Sequence, residues 1–158
     1  MPSTHQPRKQ VRLLHRFLML LLAASGIGFY HSASAAAVSD YTGQWQTIDD
    51  ETGKPKSIVE IYSEGDKLAG KVTALLLKPN TTLCSKCTGS LKDKPVVGMV
   101  ILKGLKATDE GYEGGEILDP ANGKTYKCKL WLENGVLHLR GYIGPFFRTQ
   151  EWHRLAKQ

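Results

Sequence analysis

The chain contains 158 residues, 41% of them apolar and 23% charged, with a formal net charge of +6 from 21 basic and 15 acidic residues. This apolar fraction excludes wholesale disorder, and the length allows one domain of ordinary size. The 16 glycines argue against a helical bundle, and the excess of basic residues raises the question of a nucleic-acid or membrane partner.

The first 37 residues are organised like a secretory signal peptide. Basic residues and no acids precede an apolar run from Phe17 to Tyr30, and an A-x-A site predicts cleavage after Ala35 or Ala37. A membrane anchor is the alternative, but the run is shorter than the ~20 residues that span a bilayer. The cleavage region contains no cysteine, so we do not expect a lipid anchor. We therefore expect a periplasmic or secreted protein.

Most of the positive charge belongs to this leader. Its removal leaves 121 or 123 residues that carry 17 basic and 15 acidic side chains, dispersed along the chain. Such a surface is typical of a soluble protein, so we expect no nucleic-acid partner and no membrane span after cleavage. Residues 38–158 are predicted to form a single domain.

Beyond this segment the apolar residues follow a two-residue period or form short β-branched runs between turn residues. No sustained helical period is present. The only long connection, residues 78–95, follows the third predicted strand. The pattern predicts eight strands: Gly43–Asp49, Ser57–Ser63, Lys67–Leu77, Val96–Gly104, Gly111–Leu118, Thr125–Glu133, Val136–Ile143 and Arg148–Leu155.

The motif Asn134-Gly135 predicts a two-residue type I′ hairpin, which determines the register of its two strands. Counting from this turn places Leu130 opposite Leu139 on an apolar face and Trp131 opposite His138 on a polar face. One buried and one solvated face are typical of an antiparallel sheet. Eight sequential strands most economically close on themselves, which removes the sheet edges. The predicted fold is an all-β, eight-stranded antiparallel up-and-down barrel.

The first strand contains Gly43-Gln44-Trp45, which resembles the GxW motif of lipocalins and related calycins. In those proteins the tryptophan plugs one end of the barrel and a late arginine packs across it. Arg148 and Arg154 are both candidates for that arginine. A barrel of eight strands has an interior just wide enough to be filled by side chains or to hold one small ligand.

Four stretches closely resemble a secreted bacterial family known as domain of unknown function 2147 (DUF2147). They read GQWQTIDD and TGKPKS within residues 43–57, GEILDP and NGKTY within 115–126, RGYIG in 140–144, and RTQ in 148–150 followed by Trp152 and Arg154. The resemblance implies a periplasmic, lipocalin-like barrel and no settled activity. Only three residues separate Gly144 from Arg148, fewer than the family leads us to expect.

Cys84 and Cys87 form a C-x-x-C pair in the long connection, and an exported protein favours a disulfide there. A redox motif would require a strand–helix context, and a zinc site would require two further ligands. Cys128 is predicted to face inward as a buried thiol, although a bridge to one loop cysteine stays open. We expect no metal and no cofactor.

The inner face of the barrel supplies the predicted ligand site. If Trp152 points inward, alternation along the last strand makes Arg148 and Gln150 inward polar groups. Buried there, an arginine needs a carboxylate or an anionic ligand, so it either closes the barrel or holds a ligand head group. We expect ligand contacts at Trp45, Tyr126, Leu130, Leu139, Arg148, Gln150 and Trp152.

The predicted function is binding of a small apolar or amphipathic molecule without catalysis. Adjacent Asp49 and Asp50 point to opposite sides of a strand, which disfavours the facing carboxylates of glycoside hydrolysis. One alternative is an envelope interaction module with a solid barrel, favoured if every strand carries large inward side chains. Another is a small envelope enzyme with a titratable cluster. The interaction module would present the surface around Trp131, His138, Arg140 and Tyr142.

Overall fold

The computed structural model describes residues 37–155, so the predicted leader up to residue 36 lies outside the described residues. A short helix, α1, precedes eight strands that account for most of the chain. Their bounds are α1 Val38–Tyr41, β1 Gly43–Ile48, β2 Pro55–Glu64, β3 Lys67–Leu75, β4 Val100–Thr108, β5 Gly111–Asp119, β6 Lys124–Glu133, β7 Val136–Ile143 and β8 Phe146–Arg154.

The eight strands form a closed antiparallel barrel in sequence order, as predicted. Each strand pairs with its neighbours in the chain, and β8 pairs with β1 to close the ring. Closure leaves no unpaired edge, which explains how a sheet of short strands avoids association through its backbone. In the described part of the chain, no helix has the length and apolar character needed to cross a membrane.

The register of β6 and β7 follows the hairpin rule. Leu130 lies opposite Leu139 and Trp131 opposite His138, as predicted. Asn134 and Gly135 both have positive φ, 51° and 79°, which a type I′ turn requires at both central positions. The turn alone therefore determines which side chains of this hairpin point into the barrel.

The start of β4 differs from the prediction, which began that strand at Val96. Pairing as a named strand begins only at Val100, because residues 96–99 turn, with a hydrogen bond from the Met99 N–H to the Val96 carbonyl oxygen. Gly98 adopts φ +87° within this turn. Val96 and Met99 are nevertheless buried, so the apolar run continues from loop into strand without marking the boundary.

The last strand begins earlier than predicted, at Phe146 rather than Arg148. β7 and β8 stay paired to the end, with Ile143 opposite Phe146, so Gly144 and Pro145 form a two-residue turn. Gly144 supplies the positive φ of 58° at its first position. The shortness of this segment is therefore explained by a tight hairpin.

Alternating strand directions give the barrel two distinct ends. The end formed by the β1–β2, β3–β4, β5–β6 and β7–β8 connections is called the mouth, and the opposite end, where α1 also lies, the closed end. The β3–β4 connection, residues 76–99, is called the long connection and contains a 3₁₀ turn at Gly89–Leu91.

Candidate functional site

The closed end is sealed by a tryptophan and an arginine. Trp45 has no exposed surface, and its indole N–H donates a hydrogen bond of 2.8 Å to the Tyr41 carbonyl oxygen of α1. The Arg154 guanidinium lies over the Trp45 ring, 4.3 Å from its centroid, and donates to the carbonyl oxygens of Thr42 and Asp40. Its cation–π contact and hydrogen bonds hold α1 against the barrel.

Of the two candidate arginines, Arg154 is the one that packs across Trp45. The two residues lie opposite each other where β8 pairs with β1. A hollow of about 360 Å³ lies outside this seal, and both outer guanidinium nitrogens already bind backbone carbonyls there. Its lining consists of Ser39, Asp40, Trp45, Leu132, Gly135 and Arg154.

The interior next to the closed end is filled by side chains. Every strand contributes at least one large inward residue whose exposure is no more than 5%. Several have no exposed surface, so no space large enough for water touches them. These inward residues include Trp45, Val59, Leu68, Leu105, Tyr112, Leu130, Leu137 and Trp152.

Towards the mouth the inner face becomes small and polar. Gly141 lies opposite both Cys128 and Arg148, and a Cβ at Gly141 would meet no atom closer than 3.8 Å. On β1 and β2, Thr47 and Ser57 face each other, with their hydroxyl oxygens 2.7 Å apart. On β1, β2 and β7 the mouth end of the interior therefore offers hydrogen-bonding groups and little side-chain volume, whereas β4 contributes the fully buried Leu102 there.

A hydrogen-bonded chain runs along the inner face of β8 to the mouth. Arg148 pairs with Asp50, with Nη2 2.6 Å from Oδ2, and the Gln150 amide N–H donates to the same oxygen at 2.7 Å. The Trp152 indole N–H in turn donates to Gln150 Oε1 at 3.3 Å. This chain links the buried tryptophan to a 60% exposed arginine side chain.

A second polar group lies on the β5–β6 side of the mouth. The Asn122 side-chain amide donates to the Tyr126 hydroxyl oxygen at 3.0 Å and to Asp119 Oδ2 at 2.8 Å. Tyr126 is half-buried and lies opposite Ile117 on the inner face. The turn thus orients an amphipathic ring at the edge of the interior.

The long connection packs against the same hairpin. Cys84 and Cys87 form the predicted disulfide, both are buried, and Cys84 Sγ lies 3.5 Å from the Pro120 carbonyl oxygen. Gly123 adopts φ +73°, and a Cβ there would lie only 1.9 Å from the Lys86 carbonyl oxygen. Glycine is therefore required where the connection crosses the hairpin.

Cys128 is a free, buried thiol between the filled and polar parts of the interior. Burial raises the pKa of this thiol to about 12, with a smaller contribution from the Glu116 carboxylate. The thiol therefore stays protonated at neutral pH and unsuited to nucleophilic chemistry. Residues 37–155 contain no cluster of three or more side chains suited to holding a metal ion.

Two carboxyl groups also have shifted pKa values, Asp49 apart from Cys128 and Glu116 close enough to contribute to the shift of that thiol. The Thr52 side chain and Lys56 lower the pKa of Asp49 in the β1–β2 turn. Lys127 lowers the pKa of Glu116, which it contacts at 2.8 Å. Burial raises the pKa of Tyr41 and of Tyr112, whose ring centroids lie 4.8 Å apart. Each of these shifts has a local structural cause.

The predicted ligand residues divide into two groups by depth. Trp45, Leu130, Leu139 and Trp152 are at most 3% exposed and lie in the filled part of the interior. The remaining three, Tyr126, Arg148 and Gln150, lie at the mouth, where solvent reaches at least part of each side chain.

Asp50 is the mouth residue that sequence reasoning did not connect to the others. It lies 100 residues before Gln150 in the chain, and the sequence relates it only to its neighbour Asp49. The only signal in the sequence was the need of an inward arginine for a carboxylate. This requirement does not identify which Asp or Glu provides the carboxylate.

The closed eight-stranded barrel, with its N-terminal helix and its tryptophan–arginine seal, defines a lipocalin-like protein. One solved structure is similar over 73% of this chain and 82% of its own, with 23% identity and a TM-score of 0.65. It is described as protein HP1028 from the human pathogen Helicobacter pylori, belonging to the lipocalin family. A search of curated proteins gave no match.

The model of the family described as "Uncharacterized protein conserved in bacteria (DUF2147)" matches residues 43–154. The match extends from the start of β1 to the end of β8. The chain therefore belongs to this family, and the resemblance seen in its sequence is confirmed.

Proposed function

We propose that this protein is exported and binds a small amphipathic molecule at the mouth of its barrel, without chemical turnover. The observation that carries the proposal is the change along the inner face from filled and apolar to small and polar. Gly141 adds no side chain beside Tyr126, and Arg148 and Gln150 offer hydrogen-bond donors near it. A ligand entering from solvent meets these groups first.

The geometry favours a ligand with an acceptor-bearing head and a short apolar body. Arg148 is held by Asp50 and is still 60% exposed, so its remaining donors are available to a head group. The body would lie against Tyr126, Ile117 and the hairpin tip at Ile143. The filled interior below limits the depth of entry, so a long chain would extend beyond the barrel.

The fold supports this proposal, because barrels of eight strands with one accessible end accommodate small ligands. The absence of turnover is supported by the positions of the described groups with shifted pKa values, which lie in three separate places: Asp49, Glu116 with Cys128, and Tyr41 with Tyr112. Export is supported by the leader-like residues 1–37, and the N-terminus of protein recovered from the periplasm would be residue 36 or 38. Mass spectrometry of that protein would also detect a retained ligand.

Displacement of a fluorescent fatty acid tests the binding proposal. Replacement of the inward Arg148 by alanine should weaken binding of an anionic probe about tenfold or more, because a charge-assisted hydrogen bond is lost. Arg140→Ala is the matched control, since this arginine lies on the outer face of the adjacent strand, bonded to Thr149. No displacement by any lipid, or equal effects of the two replacements, would contradict the proposal.

A second function, that of an interaction module, is favoured by the filled interior and by an aromatic cluster on the outer face. The Trp131 and His138 rings stack with centroids 5.1 Å apart, and the Arg140 guanidinium lies 5.0 Å from the Trp131 centroid. Arg140 also lies 4.1 Å from the Phe147 ring centroid. Such clusters are typical of protein-binding hot spots.

Crosslinking in envelope extract separates the two functions. If the outer cluster binds a partner, Trp131→Ser with Arg140→Ala should remove a crosslinked species that Arg148→Ala retains. The reverse pattern would support binding at the mouth instead. Unchanged crosslinking in both variants would contradict the interaction module.

A further inference from the structure

Exposed apolar side chains are concentrated at the mouth. Nine large hydrophobic side chains are exposed in the described residues, and six of them belong to the long connection or to the tip of the β7–β8 hairpin. Single exposed apolar residues are normal, but a concentration at one end indicates an interaction surface. The six residues are Leu76, Leu77, Leu83, Ile143, Phe146 and Phe147.

These residues form two lips on opposite sides of the mouth. In the closed ring, the β1–β2 connection separates the lips on one side and the β5–β6 connection separates them on the other. Phe146 at the hairpin lip is 73% exposed, and Leu77 at the other lip is 45% exposed. Two apolar lips around a rim suit a broad, flat partner better than a narrow groove-binding one.

Basic residues are also concentrated at the mouth, in the long connection. The long connection contains Lys78, Lys86, Lys92 and Lys94 against a single acid, Asp93. The turns of the closed end carry three acids and no basic residue; these are Asp66, Asp109 and Glu110. The long connection is therefore a basic lip and the turns of the closed end are acidic, while the β1–β2 connection at the mouth carries Asp49, Asp50 and Glu51 against Lys54.

Three of the four lysines have no carboxylate to neutralise them. Within residues 37–155, no Asp or Glu oxygen lies within 4 Å of the side-chain nitrogens of Lys78, Lys86 and Lys94. Lys92 pairs with Asp93 at 3.4 Å. All four side chains are exposed, so the charge of the three unpaired lysines is available to an anionic partner.

We propose that the mouth docks onto an anionic lipid bilayer. The lysines of the long connection face lipid phosphates, and apolar side chains of both lips enter the headgroup region. Unpaired lysines beside exposed apolar and aromatic groups supply the two weak signals that together hold a protein at a membrane surface. The docking holds whether or not the barrel binds a ligand, and it would place the barrel opening next to the lipid.

Co-sedimentation with vesicles of phosphatidylcholine, with and without phosphatidylglycerol, tests this proposal. The protein is expressed as the full chain, purified after export, and its N-terminus is read by mass spectrometry. Charge reversal in Lys86→Glu/Lys94→Glu should lower partitioning into anionic vesicles at least about tenfold, since each surface lysine contributes severalfold.

The matched control is Lys67→Glu/Lys106→Glu, which reverses two cross-strand neighbours towards the closed end. It has the same net charge as the mouth variant, so the two differ only in position. Partitioning of the control should change less than about twofold. Equal losses in the two variants would overturn the proposal, because a general charge effect would then explain binding.

The apolar contribution is tested separately with Leu77→Ser/Phe146→Ser. Both side chains are largely solvated, so the fold should be retained, as circular dichroism would verify. Partitioning should fall about tenfold or more, whereas Val38→Ser, an exposed apolar control on α1 at the closed end, should leave it unchanged. No difference between these two variants would contradict insertion of the lips.

Hydrogen–deuterium exchange locates the contact directly. Anionic vesicles should slow exchange in residues 76–99 and 142–148 and leave the closed-end turns unchanged. Slowing confined to residues before 43 would overturn the proposal, as would equal binding to vesicles without phosphatidylglycerol. A dimer in native mass spectra that is lost in the mouth variants, without vesicle binding, would instead assign the lips to a second copy of the chain.

Discussion

The two ends of this barrel are built from the same strands and the same inner face, yet they differ in composition and in access. On β8, Trp152 is 1% exposed, while Arg148, four residues away on the same face, has a 60% exposed side chain. On β6, Leu130 is buried and Tyr126 is half-buried. The comparison shows that depth along a strand, and not only the face of the sheet, determines the role of a residue.

The physical reason lies in water access. At the closed end, α1 and Arg154 cover Trp45, so an inward polar group there would lose its hydration. At the mouth, Arg148 and Asp50 keep part of their hydration and also pair with each other. Ionic groups are therefore tolerated at one end of the interior and excluded from the other.

The largest expected effect comes from disrupting the closed end. Trp45→Ala should lower the free energy of unfolding by about 3–5 kcal/mol, because a fully buried indole and its hydrogen bond are lost. Tyr126→Ala at the mouth should cost less than about 2 kcal/mol, since its ring is partly solvated already. Urea denaturation measures both values.

Should Trp45→Ala fail to fold, Trp45→Phe keeps most of the apolar volume and loses the hydrogen bond to Tyr41. This variant should fold, and it should be less stable than wild type. Equal costs at Trp45 and Tyr126 would show that the two ends are packed alike and would contradict the difference between the closed end and the mouth.

The next effect concerns the disulfide of the long connection. Cys84→Ala/Cys87→Ala should lower the free energy of unfolding by about 2 kcal/mol, because a bond across three residues restrains only a short loop. The change should appear as faster hydrogen exchange in residues 76–99, while exchange in β1 and β8 stays slow. Reducing agent should reproduce the effect in wild type and have none in the double variant.

Loss of the Asp50 carboxylate at the mouth should affect stability less than loss of the disulfide does, and it should change ligand binding. Asp50→Ala should cost less than about 1 kcal/mol, because its partner Arg148 is mostly solvated. The same change frees the guanidinium, so an anionic fatty-acid probe should bind severalfold more tightly. Weaker binding of the probe would mean that Asp50 itself contacts the ligand. The neutral isostere Asp50→Asn separates charge from shape.

The smallest effect at neutral pH is expected at Cys128. Burial raises the pKa of this thiol to about 12, above its ordinary value of 9.0, so the folded state holds the proton that the unfolded state releases. Its contribution to stability is therefore complete below pH 9 and is lost as the pH rises from 9 towards 12. Wild type should lose more stability than Cys128→Ala over this interval, and a parallel loss would contradict the assignment.

Local rules made much of the barrel predictable. Asn134-Gly135 determined the register of β6 and β7, because a two-residue turn with positive φ allows only one pairing. The start of β4 was not predictable, since the apolar run from Val96 continues through a turn into the strand. Apolar residues indicate burial and not a particular secondary structure, and apolar side chains are buried in both the turn and the strand there.

The candidate site was only partly predictable for a different reason. Alternation placed Arg148, Gln150 and Trp152 on one face of β8, and the structure retains that arrangement. The carboxylate that meets Arg148 comes from Asp50, about 100 residues earlier, and only closure of β1 onto β8 brings them together. No local rule relates two residues so far apart.

By itself, the sequence determined the strands, their alternating faces, the hairpin register and the cysteine pair that forms the disulfide, because each depends on residues close in the chain. The tertiary structure alone decided which arginine seals Trp45, how far the interior is filled, and that the apolar and basic residues of two distant connections share one end. These features depend on closure of the ring, because only the closed barrel determines how deep in the interior each position along a strand lies.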